Sequence, residues 1–197
     1  MEKCVITITR QFGSMGRAIA QKLSEILKLE LYDRDIVEMT AKKTGMPIST
    51  ISYMEERASR YSFSKFPLGD DSSVEKRDEI FRVQKQIILD KADAGNCIIV
   101  GRCSDAILAD IPNHFHIYTY APYEKRLDNC INLLGMTPDE AVKMIKDVDK
   151  ARNEYHRKYA GFMPDNPLHK DLMINSSYLS FDDTAAVIAD IVNRKFG

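Results

Sequence analysis

The sequence predicts an α/β fold, a doubly wound and mostly parallel sheet covered by helices. Segments with the apolar spacing of helices alternate along the chain with short apolar segments typical of strands. Two short segments, residues 97–100 and 116–121, are continuous and largely apolar, as strands buried on both faces of a parallel sheet are. Polar residues follow three of the predicted strands, at the edge where such sheets bind ligands.

The composition indicates one soluble domain. The 197 residues are 44% hydrophobic and 29% charged, which suffices for a single well-buried core. The net charge of −1 argues against a general binder of nucleic acids or membrane surfaces. No apolar run approaches the ~20 residues that cross a bilayer. The four cysteines form no C-x-x-C pair, so we expect reduced thiols and a cytoplasmic protein.

The N-terminal third is predicted to contain two strands and two helices. A strand over residues 3–9 is followed by a helix that ends near Lys28, and a short strand covers residues 29–32. Asp33 directly precedes the next apolar helical pattern, which predicts that its side chain is the N-cap of that helix.

A glycine turn between the first strand and the first helix predicts a phosphate site. Gly13 and Gly16 let the backbone approach an anion, and Ser14 adds a hydroxyl donor. The free N–H groups of the following helix point to the same place, and Arg17 adds a positive charge.

This turn keeps half of the phosphate-loop pattern G-x-x-x-x-G-K-[ST]. Gly16 stands at the last glycine, whereas Gln11 replaces the first glycine, Arg17 the lysine and Ala18 the metal-holding hydroxyl. Taken alone, the segment also fits a strand-turn-helix without a ligand.

The middle of the chain is predicted to be mostly helical. Residues 48–60 form a helix, residues 62–73 a mobile polar loop, and residues 74–92 a long helix with a broad apolar face. The apolar strand at 97–100 then ends in Gly101-Arg102.

The C-terminal part contains two further helices and a strand. Thr137 and Glu140 form a capping-box pattern that opens a helix running to about Tyr159. A strand follows over residues 171–175, and Ser180 opens a last amphipathic helix. His114 and His116 have no third ligand at metal spacing, which favours edge or core histidines.

Taken together, these segments resemble the cytidylate kinase-like branch of the nucleoside monophosphate kinases over nearly the whole chain. Residues 9–17 look like the modified phosphate loop of that branch, R-x-[FY]-G-S-x-G-R. Residues 32–36 look like its second-strand segment, and residues 100–102 like its G-R pair. Residues 171–180 are similar to its closing strand and helix start.

The resemblance implies a single P-loop kinase domain over residues 1–197 with five parallel strands. Its core comprises 1–33, 91–145 and 169–197, a monophosphate-binding insertion covers 34–90, and a mobile lid covers 146–168. The lid region carries a basic helix end, which could stabilise the charge on a transferring phosphoryl group. Its basic residues are Lys146, Lys150, Arg152, His156, Arg157 and Lys158.

The resemblance also assigns roles to individual residues. It implies nucleotide substrates, ATP as phosphoryl donor and Mg²⁺. The residues expected to bind ATP are Gln11, Gly13, Ser14, Met15, Gly16, Arg17 and Ala18. The residues expected to bind the acceptor are Arg10, Asp33 and Arg102, and those expected to act in catalysis are Arg17, Arg152 and Arg157.

Two departures from the pattern bear on catalysis: Cys103, and Arg17 together with Ala18. Cytidylate kinases have an aspartate after the G-R pair, and Cys103 stands there instead, so recognition of base or sugar by that residue is lost. Ala18 cannot ligate Mg²⁺, so the metal would be held by water, phosphate oxygens, Ser14 or a carboxylate such as Asp33.

Three functions fit these features. The first is phosphoryl transfer from ATP to a nucleoside monophosphate, with cytidylate or deoxycytidylate favoured. The second is a nucleotide-binding regulatory protein without kinase activity, which the changes at Arg17, Ala18 and Cys103 motivate. The third is a kinase of another small molecule, because a fold does not fix the substrate. The sequence leaves the oligomeric state open.

Overall fold

The computed structural model describes residues 3–56 and 71–197. It contains a five-stranded parallel sheet in the order β2-β3-β1-β4-β5. This confirms the fold class expected from the sequence. The strands are β1 (Val5–Arg10), β2 (Glu30–Tyr32), β3 (Cys97–Val100), β4 (His114–Tyr120) and β5 (Leu172–Asn175).

Helices connect the strands, as parallel pairing requires. Each crossover places its helix on one face of the sheet. The α-helices are α1 (Gly16–Leu27), α2 (Arg34–Thr44), α3 (Ile48–Glu56), α4 (Asp71–Ala94), α5 (Ser104–Ile107), α6 (Tyr123–Asn132), α7 (Pro138–Ala160) and α8 (Phe181–Phe196), and a 3₁₀ turn covers Pro167–His169.

The central strand β1 is buried from both sides because its side chains alternate between two cores. Ile6 and Ile8 pack with the apolar faces of α1 and α8. Val5 packs on the opposite face against residues of α2, α4 and α5. Because β1 and β3 are paired in parallel, with Val5 opposite Cys97 and Ile8 opposite Val100, their carboxyl ends meet at one edge of the sheet.

Several element boundaries differ from those expected. Helix α4 begins at Asp71, so residues 71–73 belong to a helix and not to the predicted loop, while 62–70 of that loop lie outside the described residues. Residues 57–60 of the helix expected at 48–60 also lie outside them. Strand β4 begins two residues earlier, at His114. Helix α6 was not expected, because Tyr123–Asn132 has few apolar residues.

The capping predictions had mixed outcomes. At Thr137 both halves of the capping box are formed, and at Ser180 the hydroxyl accepts from the N–H of Asp183 at 3.0 Å. Asp33 occupies the N-cap position of α2, but its side chain makes no capping hydrogen bond. That prediction was wrong because three arginines contact the carboxylate instead, as described below.

The region expected to be the monophosphate-binding insertion has a small core of its own. Val37 of α2, Ile51 of α3 and Ile80 of α4 are buried together. Helix α3 also packs against α7, which runs through the region expected to be the lid. None of the described helices is long and apolar enough to span a bilayer.

Candidate active site

The loop between β1 and α1 is tied to strand β4 at its start. The N–H of Gln11 donates to the carbonyl of Thr119 at 3.1 Å, and the side-chain oxygen of Gln11 accepts from the N–H of Ala121 at 3.2 Å. Gly13 and Met15 have φ of 77° and 58°, so the chain turns sharply before α1 begins at Gly16. The loop therefore continues the sheet edge and leads directly into a helix N-terminus.

Side chains from distant elements hold the carbonyl oxygens of this loop. Each donor comes from α6, α7 or the residue after β5. Arg152 donates to the carbonyl of Arg10 at 3.2 Å, Arg126 to Phe12 at 3.1 Å, Asn129 to Gly13 at 2.9 Å and Ser176 to Ser14 at 2.7 Å. The loop carbonyls are therefore directed at the protein and away from an approaching anion.

The amide groups of the same segment are available. Within residues 3–56 and 71–197, no group accepts from the N–H of Gly13 or of residues 15–18. The N–H groups of a first helical turn point beyond the helix N-terminus, where the helix dipole favours negative charge. Carbonyls turned inward and amides left available form a cradle whose chemistry suits an anion.

The two loop glycines are required by packing inside the protein. A Cβ on Gly13 would lie 2.8 Å from the carbonyl oxygen of Arg126, and a Cβ on Gly16 would lie 2.3 Å from Oγ1 of Thr119. Glycine here therefore lets the loop lie against α6 and β4, a reason that differs from the expected close approach to a ligand.

Ser14 is turned inward. Its hydroxyl donates to the carbonyl of Gln11 at 2.9 Å and lies 3.2 Å from Oγ1 of Thr119, and the residue is fully buried. Its N–H faces the carbonyl of Gln11 at 3.4 Å. Ser14 thus stabilises the loop, and its hydroxyl does not face the cradle that the sequence pattern assigned to it.

Asp33 is the centre of an arginine cluster at the edge of the sheet. Its carboxylate lies 3.0 Å from Nε of Arg17, 3.4 Å from Nη1 of Arg102 and 4.0 Å from Nη2 of Arg10. The side chain of Asp33 is only 10% exposed, so these charges interact with little screening. The residues come from the ends of β1, β2 and β3 and the start of α1, which the topology brings together.

Gly101 makes room for this cluster. Its φ is 76°, and a Cβ there would lie 2.2 Å from Nη1 of Arg10. Arg102 and Cys103 continue the turn with φ of 56° and 53°. The G-R pair thus forms a tight turn that places Arg102 beside Asp33 without displacing Arg10.

A cavity of about 270 Å³ lies between the phosphate loop, the turn after β3 and helix α7. Its wall combines arginines, two carboxylates and apolar or aromatic side chains, which suits an anion that carries a flat organic group. Residues lining it include Arg10, Phe12, Arg102, Tyr118, Met144, Asp149, Arg152 and Asp165.

The expected catalytic arginines occupy different places. Arg152 is half-buried, lines the cavity and lies 5.8 Å from the ring centre of Phe12. Arg17 is 57% exposed at the start of α1. Arg157 is exposed, contacts Sδ of Met163 at 3.4 Å and does not line this cavity. The structure therefore groups Arg10, Arg17, Arg102 and Arg152 around the loop and leaves Arg157 outside.

A buried charge network borders the cavity. Nε2 of His156 lies 3.0 Å from both carboxylate oxygens of Asp105, and Lys170 forms an ion pair with the same carboxylate. Burial by itself would raise the pKa of Asp105, but the contacts with His156 and Lys170 outweigh it and hold that pKa well below its ordinary value. The network joins α5 to the end of α7 and to the segment just before β5.

Sequence reasoning missed most of the groups that hold the loop. Arg126, Asn129 and Ser176 lie more than 110 residues from the carbonyls they bind. One signal was available: Asp149 and Arg152 are three residues apart, which places an acid and a base on one helix face.

The residues present do not form a magnesium site of their own. Within the described ranges, no three His, Cys, Asp or Glu side chains are arranged to hold a metal ion. Ala18 has no oxygen in its side chain, and the hydroxyl of Ser14 is buried. The carboxylate of Asp33 is shared by three arginines, whose charge opposes a further cation.

Comparison with known proteins identifies the family. The family model described as the cytidylate kinase-like family matches residues 5–178. The chain belongs to this family. It is 25% identical to a cytidylate kinase of Pyrobaculum calidifontis over 191 residues, which cover 95% of this chain and 92% of the relative.

Solved structures with the same fold include kinases of other small molecules. An uncharacterised protein from Eubacterium ventriosum superposes with a TM-score of 0.71 at 23% identity, covering 97% of this chain and 99% of that one. A shikimate kinase from Acinetobacter baumannii gives a TM-score of 0.53 at 15% identity, covering 98% and 94%. Membership in the cytidylate kinase-like family thus comes with the fold of P-loop kinases.

Proposed function

We propose that this protein transfers the terminal phosphoryl group of ATP to a nucleoside monophosphate, with cytidylate or deoxycytidylate favoured. The observation that carries the proposal is an amide cradle next to two groups of arginines that share members. Arg10, Arg17 and Arg102 surround Asp33, and Arg10, Arg102 and Arg152 line the cavity. Membership in the cytidylate kinase-like family supports nucleotide phosphates as the ligands.

The donor nucleotide would bind at the loop. Backbone amides of Gly13 and of residues 15–18 would donate hydrogen bonds to the oxygens of the β-phosphate, together with the guanidinium of Arg17. An arginine can present two parallel N–H groups to phosphate oxygens, which a lysine cannot. The exposed position of Arg17 leaves it accessible to the nucleotide.

The acceptor would occupy the cavity. Arg10 and Arg102 would bind its phosphate, and the apolar wall with Tyr118 would contact the base. Asp33 holds both arginines in place before the acceptor arrives.

The chemical step needs little beyond positioning and charge stabilisation. An oxygen of the acceptor phosphate attacks the γ-phosphorus, the bond to the bridging oxygen breaks, and ADP leaves with the electron pair. The acceptor is already an anion at neutral pH, so no general base is required. Arg152, which lines the cavity, would stabilise the charge on the transferring group. The catalytic role expected for Arg157 would require this side chain to leave its contact with Met163.

A coupled assay for ADP release tests the proposal. It uses ATP and Mg²⁺ with CMP, dCMP, UMP, AMP and GMP, and with shikimate as a non-nucleotide acceptor. We expect turnover with CMP or dCMP that exceeds the acceptor-free rate. Turnover with none of the monophosphates would contradict the proposal, and turnover with shikimate alone would favour a kinase of another small molecule.

One observation favours a second candidate, a nucleotide-binding regulatory protein without transfer activity. The loop lacks a metal-ligating side chain, since Ser14 is buried and residue 18 is alanine. Titration calorimetry separates the two functions: tight binding of ATP without transfer to any acceptor would support the regulatory protein.

A further inference from the structure

The backbone of Phe12 is held at its N–H and at its carbonyl by one ion pair, whose two members come from different helices. Its N–H donates to Oδ1 of Asp149 in α7 at 2.7 Å, and its carbonyl accepts from Nη1 of Arg126 in α6 at 3.1 Å. The same Nη1 pairs with Oδ2 of Asp149. The three groups form a closed ring of hydrogen bonds, here called the Phe12 clasp.

The Phe12 clasp is mostly shielded from water. The side chain of Arg126 is 11% exposed and that of Asp149 is 22% exposed. Hydrogen bonds between charged groups in such a setting are stronger than exposed ones. The clasp therefore restrains the backbone of one loop residue at both of its polar groups.

The next residue, Gly13, is held by α6, the helix that carries Arg126. Asn129 of α6 donates to the carbonyl of Gly13 at 2.9 Å, and Gly13 packs so closely on Arg126 that a Cβ would lie 2.8 Å from the Arg126 carbonyl. Rotation of the peptide between Phe12 and Gly13 would break the Arg126 contact and turn the Phe12 carbonyl toward the cradle. A carbonyl oxygen there would repel phosphate oxygens.

We propose that Asp149, acting with Arg126, is a positioning residue that holds the phosphate loop in its amide-out shape for a nucleotide polyphosphate. The inference rests on the proposed function for the identity of that ligand. Without Asp149, the N–H of Phe12 loses its acceptor and the guanidinium of Arg126 loses its counter-charge. The loop then samples shapes that bind anions less well.

Direct binding of ADP and of inorganic pyrophosphate, measured by titration calorimetry, tests this inference. We expect Asp149→Ala to weaken both affinities about tenfold, the effect of losing one hydrogen bond to a charged group. Asp149→Asn keeps an oxygen that can accept from Phe12, so it should lose about threefold. Asp147→Asn is the matched control, because Asp147 lies on the same helix outside the clasp.

The amide proton of Phe12 gives a second readout that does not depend on binding. In the wild type we expect the bond to a carboxylate to shift its NMR resonance downfield, and both Asp149 variants should move the resonance upfield. Asp147→Asn should leave it in place.

The outcomes separate this inference from the proposed function. If the wild type binds neither ADP nor pyrophosphate, the proposed function fails, and the Phe12 resonance still decides whether the clasp exists. If the wild type binds and Asp149→Ala binds equally well, the inference is overturned. If Asp149→Ala does not fold, the affinities of Asp149→Asn and Asp147→Asn for ADP and pyrophosphate are compared instead. Equal affinities of these two variants would overturn the inference.

Discussion

Nε of Arg17 lies 3.0 Å from Oδ2 of Asp33, so a half-exposed arginine at a helix start is paired with a buried carboxylate. Arg10 and Arg102 approach the other oxygen of the same carboxylate. In the proposed function, these three guanidiniums bind phosphate groups of the two nucleotides. Asp33 therefore orients them before the anion arrives and competes with it afterwards.

Replacing Arg17 tests the donor part of the site. Arg17→Ala removes a charge-assisted contact worth roughly 1.5 to 3 kcal/mol, so affinity for ATP should fall about ten- to a hundredfold. The free energy of unfolding should change little, because alanine is a good residue for an exposed helix start. Titration calorimetry with ATP and urea denaturation measure the two quantities.

Two further variants complete that test. Lys22→Ala, on the same helix and paired with Asp182, should leave ATP affinity unchanged. Arg17→Lys should keep part of the turnover if a point charge suffices, and should lose most of it if two parallel N–H groups are needed. Unchanged ATP affinity in a folded Arg17→Ala variant would show that residues 13–17 are a structural turn.

Removing the charge of Asp33 should affect binding and turnover in opposite directions. Asp33→Asn leaves three arginines without their shared counter-charge, so ADP should bind several-fold more tightly at low ionic strength. Turnover should fall because the arginines are no longer held in one arrangement. Calorimetry at two salt concentrations and the coupled assay measure this, with the exposed Asp35 changed to Asn as control. Weaker binding of ADP would contradict this role of Asp33.

The Asp105 network should make stability depend on acid pH. Contacts with His156 and Lys170 hold the pKa of Asp105 below its ordinary value despite burial, which acts in the other direction. A depressed pKa in the folded state stabilises the protein above the unfolded value, near 4, and this contribution is lost as pH falls below it.

The variant Asp105→Asn checks that expectation. Removing one partner of a buried ion pair should lower the free energy of unfolding at pH 7 by about 3 to 5 kcal/mol. The difference in unfolding free energy between the variant and the wild type should narrow below about pH 4, because the wild type loses the same contribution there. Urea denaturation across this range gives the result, and Asp110→Asn at an exposed position nearby should behave like the wild type. A gap that does not change with pH would contradict the network's electrostatic role.

His116 should destabilise the fold in a separate pH window. Burial, with the neighbouring His114, lowers the pKa of His116 to about 4. The folded state therefore favours the neutral ring, and stability should fall as pH decreases from about 6.5 toward 4, by up to roughly 1.4 kcal/mol per pH unit. His116→Gln should flatten the profile in this window, whereas His169→Gln, at an exposed site, should not. An unchanged profile in His116→Gln would show that other groups set the slope.

Local patterns predicted those parts of the protein that depend on neighbouring residues. The limits of β3 and the capping box at Thr137 follow from apolar runs and hydrogen bonds within three or four positions. The order strand, glycine turn, helix likewise predicted the loop between β1 and α1. Alternation of strands and helices was enough for the parallel sheet, because a crossover helix is the usual way to join parallel strands.

The partners of the site residues depended on the tertiary structure. Asp33 has a good N-cap sequence, yet its carboxylate faces Arg102, 69 positions away, because the sheet order places β2 beside β3. The N–H of Phe12 donates to the carboxylate of Asp149, which is 137 positions away in the sequence. Capping and periodicity depend on residues within a turn of helix or strand, whereas a contact between distant elements exists only once the sheet order and helix packing bring them together. The sequence by itself thus determined the strands, most of the helices and the loop, and the packing of α6 and α7 decided which groups hold that loop.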